Sequence, residues 1–421
     1  MPDIENGDQP QLWTKARTLR FIGSLVILAV AIYVVVIKFR TSYSGNPRKE
    51  LAATSPVAPS LAAGSWRFIV SGDSRNCGDV VMPTIAAQSA AYAPVFYWHL
   101  GDLRAIYTTD EDMRAEFAHR QQSLSCQTYH RLAWSDFIDH QIAPFGDTPF
   151  YAGIGNHETF KPKTAAGFEH QFADWLSSPT LVSQRVTDGD RNPEAPSTYY
   201  HWIHDGVDFI YLDNSCGHSP DIYPNCDFFP KELKWFDAVL ARAKKNLAVN
   251  SVVVGMHEAL PGSVASDHSM CEDDNDAKKG KNHKESCESG QHVYDALLDL
   301  QKVKPVYILA SHSHFYMAGI FDKLPESHRI PGWIVGTGGA ARYPLPDGVV
   351  PSPDAIPHAY GFLLATVDDK GKIKFEFKEV KEADVPAYVK ARYDQDLVPW
   401  CFAHNAKADN NVWPQAPDCT K

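Results

Sequence analysis

Asn156, His157 and Glu158 follow Gly155 at the end of a short apolar run, placing an amide oxygen, an imidazole and a carboxylate on three successive residues. An amide oxygen is a neutral metal ligand, and an imidazole beside it can hydrogen-bond or pass a proton to whatever the metal holds. Alone, the segment reads equally well as a turn, because these residue types are common in loops. Four further segments share its form, each closing an apolar run: Gly72-Asp73-Ser74-Arg75, Gly101-Asp102, Gly255-Met256-His257-Glu258 and Ser311-His312-Ser313-His314. Read in order they give Asp, Asp, Asn-His, His and His-x-His, the ligand types that hard and borderline divalent cations take. Asp73 or Asp102 by itself is an ordinary strand-end turn residue, and His257 by itself a satisfied histidine at a sheet edge. The five together form a metal-site pattern.

This ordered set resembles the calcineurin-like metallophosphoesterases, a family that includes the purple acid phosphatases, over roughly residues 66 to 380. The resemblance implies an α/β fold, a four-layer α/β/β/α sandwich, with two divalent metal ions (Mn, Zn, Fe or Mg) that hydrolyse a phosphate mono- or diester. It implies that Asp102 bridges both ions, that Asp73 and His314 hold the first, and that Asn156, His257 and His312 hold the second. His157 then contacts the phosphate and assists the leaving group. Such a pair of ions clamps phosphate oxygens and acidifies a bound water. His99 and Glu158 read as residues that orient these ligands, and Tyr107 and Tyr316 as packing.

The chain departs from the family at three places. Many members carry Asp-x-His at the first motif, where this chain has Arg75, a cation without a lone pair to give a metal. Its guanidinium can clamp a phosphate oxygen instead, which makes Arg75 a catalytic candidate beside His157, with Asp73 and Asp79 as the sequence-local carboxylates to balance it. The purple enzymes have a tyrosine three residues after the second-motif Asp, where this chain has Ala105, so no iron-tyrosinate colour is expected. Ser311 replaces the usual Gly with little expected consequence. A rival reading keeps the fold as a noncatalytic binding or scaffold protein with a degenerate first metal site. A metallo-oxidoreductase fits less well, because the facial triad or thiolate set is missing.

The elements that must position these groups can be read from periodicity. Short apolar strands over residues 67–70, 95–100, 149–154, 251–254 and 306–310 each deliver one motif just past the strand's C-terminal end, where open α/β sheets place ligands. Helices are expected over 79–93, 115–142, 165–176 and 231–245, the last amphipathic. Residues 198–204 and 207–212 read as a hairpin turned at Asp205-Gly206, and 361–367 with 373–380 as another through Asp369-Lys370-Gly371. A strand and Gly-rich turn span 332–339, the turn being a tight bend rather than a phosphate loop on its own sequence. The charged stretch 263–291 reads as a solvated surface loop near the mouth of the site.

The 421 residues, 44% of them apolar, can bury a large core. A net charge of -11 without a long basic run argues against a nucleic-acid partner. Residues 21–37 lack charge and are flanked by Lys and Arg, so they read as a single transmembrane anchor, preceded by a tail (1–20) and followed by a Pro- and Ser-rich linker (38–64). The phosphoesterase domain is expected over 65–382 and a C-terminal tail over 383–421. All eight cysteines follow the anchor, which points to an oxidising, exported space. Cys216 with Cys226 and Cys271 with Cys287 are near enough to bracket loops, and Cys401 and Cys419 to pin the tail to the body.

Overall fold

The computed structural model describes residues 61–215, 227–264, 269–270, 280–406 and 416–420. The expected anchor, the tail before it and most of the linker lie outside these residues, as do Cys216, Cys226 and Cys271. Among the described residues no helix is long and apolar enough to cross a membrane.

Two sheets carry the fold. The first has five strands in the order β12-β11-β1-β2-β3, where β1 is Trp66–Ser71, β2 Tyr97–His99, β3 Phe150–Ala152, β11 Gly361–Val367 and β12 Ile373–Glu379. Its strands β1, β2 and β3 are parallel, with Ser71 opposite His99 and His99 opposite Ala152, so their C-terminal ends lie level. The second sheet has seven strands in the order β10-β8-β9-β7-β6-β5-β4. Its centre is parallel: β5 (Val207–Tyr211), β6 (Ser251–Gly255), β7 (Val306–Ala310) and β9 (Gly332–Val335). At its edges β4 (Tyr200–His204) pairs antiparallel with β5, and β8 (Tyr316–Ala318) joins β9 to the two-residue β10 (Ala355–Ile356). The hairpin between β4 and β5 turns at Asp205 and Gly206, whose φ values of 40° and 81° are the pair a two-residue turn of this twist demands.

One hydrophobic core fills the space between the sheets: Phe68 and Trp98 from the first meet Trp202, Phe209 and Tyr211 from the second. Trp202 stacks on Tyr151 at 4.0 Å, and Trp98 meets it edge-on at 5.4 Å. Strands covered on both faces must be apolar throughout, and Val252, Val253 and Val254 are all fully buried. A second core seals the outer face of the seven-stranded sheet under α6 (Pro230–Lys245) and α7 (Gly280–Gln301). Over the five-stranded sheet lie α1 (Gly78–Ser89) and α3 (Cys126–Phe137), packed through Val81, Ile85 and Phe137. The layers therefore run helix, sheet, sheet, helix.

Several helix expectations need correction. The run 115–142 divides into α2 (Glu111–His119) and α3, because Gln121 takes a left-handed φ of 57° and Ser125 then caps α3 by accepting the Thr128 N–H. The run 165–176 keeps its bounds but is interrupted at Phe172, between α4 (Ala165–Gln171) and a further helical turn (Ala173–Leu176). Helix α5 (Pro179–Asp188) was not anticipated, although it opens on a proline and closes on left-handed Gly189. The charged stretch 263–291 is not all loop, since α7 begins at Gly280. The apolar positions Val293, Tyr294, Leu297 and Leu300 of α7 lie in the second core and anchor it there.

Disulfides tie the tail to the body. Cys401 on α8 (Leu397–Ala403) bonds Cys77 beside α1, and Cys419 bonds Cys126 at the start of α3. Cys287 is disulfide-bonded as well.

Away from the strand ends, buried His201 on β4 stands between Asp208, 2.8 Å from Nδ1, and Asp188, 2.5 Å from Nε2. Burial pushes this imidazole down, but its hydrogen bonds to Asp188 and Asp208 outweigh that and raise it to about 9. A folded-state pKa above the ordinary 6.5 means that the stabilisation is complete below pH 6.5 and lost as pH rises through about 9. His201→Asn should therefore lower Tm by several degrees near pH ~6 and by much less near pH ~9.5, as thermal melts across that range would record. An equal loss at both pH values would mean that the ion pairs contribute nothing.

Candidate metal centre

The sequence-predicted residues all converge where the C-terminal ends of the two sheets meet. Gly72 N–H bonds Val335 O across the gap at 3.0 Å, and Ser311 N–H bonds His257 O at 2.9 Å. Three of the turns are forced into left-handed backbone, with φ of 57° at Asp73, 60° at Asp102 and 62° at His312. Non-glycine residues take this conformation at a cost, and it clusters where surrounding structure imposes it for function. Gly155 is required by space: a Cβ there would collide with Asp102 Oδ1 and come within 2.9 Å of His257 Cε1.

The centre of the site is a set of acceptors facing one another. His257 Nδ1 lies 2.9 Å from Leu100 O, so a proton on Nδ1 is directed there and Nε2 is left to face the other donors. That Nε2 sits 3.0 Å from Asn156 Oδ1, 3.0 Å from His312 Nδ1 and 3.2 Å from Asp102 Oδ1. Asp102, His257 and His312 bring ligand atoms within 4.8 Å of one another, spacings that suit donors sharing one ion at about 2.0–2.2 Å. Lone pairs so arranged repel unless a cation or proton lies among them. The electrostatics agree: burial pushes His257 down, yet the Asp102 carboxylate outweighs it and raises the imidazole to about 10. Burial pushes Asp102 up, and His157, His257 and Arg75 together hold it well below the usual carboxylate range. Asp73 Oδ1 and Asp102 Oδ2 are buried without a hydrogen-bond partner among the described residues, and the positive charge nearest Asp102 Oδ2 is the Arg75 guanidinium, its Nε 3.7 Å away. The donor set therefore fits a divalent ion held by Asp102, Asn156, His257 and His312.

The remaining candidates ring this cluster. Asp73 Oδ2 accepts the His312 N–H at 2.7 Å, and Oδ1 stands 3.2 Å from His314 Nε2. Arg75 reaches His314 Nε2 with Nη2 at 3.0 Å, and its Nε is 3.7 Å from Asp102 Oδ2. His157 Nδ1 donates to Ala105 O at 2.6 Å, and Nε2 points toward Asp102 Oδ2 at 3.4 Å. Burial, and then the Arg75 charge, push His157 down to about 3, so it is neutral near pH ~7.

No protein-family model matches the chain, and no curated protein matches it. Among solved structures, it shares 15% identity with a purple acid phosphatase from yellow lupin (Lupinus luteus) seeds, over 77% of this chain and 53% of that one, at a TM-score of 0.48. The chain spans about half the length of the lupin enzyme. PhoD shares 13% identity over 78% of this chain and 73% of its own, at a TM-score of 0.45. A 5'-nucleotidase from Candida albicans shares 12% over 82% and 57%, at 0.37.

Sequence reasoning missed several residues that shape the site. Tyr107 is not packing: 40% exposed, it accepts from Arg75 Nη1 at 3.4 Å and lies 5.2 Å from the His157 ring. Asn214 Oδ1 accepts the His257 and Glu258 N–H groups, fixing the turn that presents His257. Tyr343 lies 4.2 Å from the His314 ring. The Ser311 hydroxyl donates to Leu100 O at 2.8 Å, so this replacement of the usual glycine links the sheets. The carboxylate beside Arg75 is Asp102 rather than Asp79, because Asp79 pairs with Arg104 at 2.6 Å.

Glu158 clamps two ligand loops, its carboxylate accepting the N–H groups of Asp102, Leu103 and Gly155 at 2.9, 3.0 and 2.8 Å. His99 Nε2 lies 3.0 Å from Ser74 Oγ and steadies the first loop. Glu158→Ala leaves three buried N–H donors unpaired, at roughly 1–3 kcal/mol apiece. A marked fall in the urea midpoint, together with weaker metal uptake, is expected; an unchanged midpoint would show that the clamp bears no strain.

Proposed function

We propose that this chain is a metal-dependent phosphoesterase of the calcineurin-like type, hydrolysing a phosphate mono- or diester with a metal-activated water. The observation that carries this reading is the convergence of Asp102 Oδ1, Asn156 Oδ1, His257 Nε2 and His312 Nδ1 on one point, with neutral His157 and cationic Arg75 alongside. A divalent ion held by Asp102, Asn156, His257 and His312 would supply charge to neutralise phosphate oxygens and would acidify water as a nucleophile.

The chain's own residues supply the rest. Arg75 presents charge-bearing N–H groups where negative charge grows on the phosphoryl oxygens. His157, fixed through Nδ1 on Ala105 O, offers Nε2 toward the same space, placed to relay a proton to the departing ester oxygen. In balance, a water oxygen bonds phosphorus as the ester P–O bond breaks, one water proton is released, and the leaving alkoxide takes up one. Disulfides from Cys77 to Cys401 and from Cys126 to Cys419 support an exported domain, and residues 21–37 would serve as its single membrane anchor.

The assay is hydrolysis of generic phosphomonoesters and phosphodiesters by the purified ectodomain across Mn, Zn, Mg and Fe. Asp102→Asn should abolish turnover and lower metal content while circular dichroism stays that of the parent. Full activity and full metal content in that variant would sink the assignment.

A further inference from the structure

Resting on the metallophosphoesterase reading above, we propose that the site holds one metal ion rather than two, with the Arg75 guanidinium standing as a fixed second cation in the place of the first metal. The two halves of the site differ in their fit to an ion. Around His257, ligand atoms of Asp102 and His312 gather within 4.8 Å of one another; among the described residues no such group forms around Asp73 and His314.

The nitrogen of His314 that an ion would need is already engaged. Its Nδ1 is 2.7 Å from Ala341 O, which directs that proton to the carbonyl and leaves the lone pair on Nε2. This lone pair receives Arg75 Nη2 at 3.0 Å. An ion bound there at about 2.0–2.1 Å would be driven against the guanidinium.

Asp102 divides in the same way. Its Oδ1 faces His257 and so the well-formed half, whereas Oδ2, the oxygen a bridging carboxylate would turn to the other ion, faces Arg75 Nε at 3.7 Å.

Charge points the same way. Asp73 and Asp102 are the carboxylates among the ligand candidates, both fully buried, and Arg75 is 7% exposed. One dication plus a guanidinium leaves a modest positive excess, suited to a phosphate anion. Two dications plus the guanidinium would leave a large one in a site shielded from water, where like charges repel strongly. Arg75 cannot leave this place cheaply, because Tyr107, His314 and Asp102 define it and its charge cannot be shed.

The test is metal counting on the purified full-length protein after equilibration with excess Mn2+ or Zn2+ and desalting, read by plasma mass spectrometry and by anomalous diffraction. Wild type should retain one ion per chain, at the His257 side. Arg75→His should take up a second ion beside Asp73 and His314, and Arg75→Lys should stay at one. Should the histidine variant fail to fold, Arg75→Ala replaces it: a second, weaker Mn2+ binding event in calorimetry is expected, with kcat/KM down by roughly ten- to a thousandfold, the scale of losing one charge-stabilising donor.

Two ions in wild type, or none, overturns the proposal, and so does a count that stays at one in both Arg75→His and Arg75→Ala. Two ions with ester hydrolysis intact would leave the phosphoesterase reading standing. One ion without hydrolysis of any phosphate ester would remove that reading and leave the count in place.

Discussion

Asp73 and Asp102 are buried side by side at the ends of neighbouring parallel strands, and much of the local structure answers the problem this creates. Carboxylates without water are tolerated only beside positive charge or several donors. The parallel register that levels Ser71 with His99 brings both turns to one spot, and left-handed backbone at both residues turns their side chains into it. A glycine at 155 leaves room for Asp102, Glu158 binds the loops from behind, and Asn214 fixes the His257 turn from the other sheet. The two sheets are thus joined at their ends by polar groups as well as along their faces by aromatic ones.

The molecule answers buried acid with guanidinium in a second place. Arg104 is fully buried and reaches Asp79 at 2.6 Å, Asp112 at 3.1 Å, Asp110 at 3.8 Å, and Asp136 as well. Asp79, Glu116, Asp136 and His140 have ligand atoms close enough to suit an ion, yet His140 already contributes charge there. Burial lowers His140, while Asp136 and Asp79 raise it to about 10. This cluster binds α1, α2 and α3 together behind the first motif. Arginine as an internal cation is accordingly a repeated device in this chain, which makes Arg75 less of an anomaly than its place in the motif suggests.

The strands and the five motifs were legible because parallel strands covered on both faces must be continuously apolar, and their ends are marked by abrupt polarity. Val252 to Val254 before His257 is the plainest instance. Helix ends were less legible where one residue decides them, as left-handed Gln121 does between α2 and α3. Partners far apart in sequence left no local trace. Arg75 and His314 are separated by 239 positions, so nothing near Arg75 could tell whether its guanidinium would meet a carboxylate, a ligand imidazole or solvent. Asn214, whose partners His257 and Glu258 lie 43 and 44 positions on, was passed over for the same reason.

The bridge between Cys77 and Cys401 spans 324 positions and fastens α8 two residues from Arg75. That bond can close only after Cys401 has been added to the chain, and only where thiols are oxidised. The shape of the Arg75 loop is thereby tied to the redox state of the surroundings as well as to the packing of the chain.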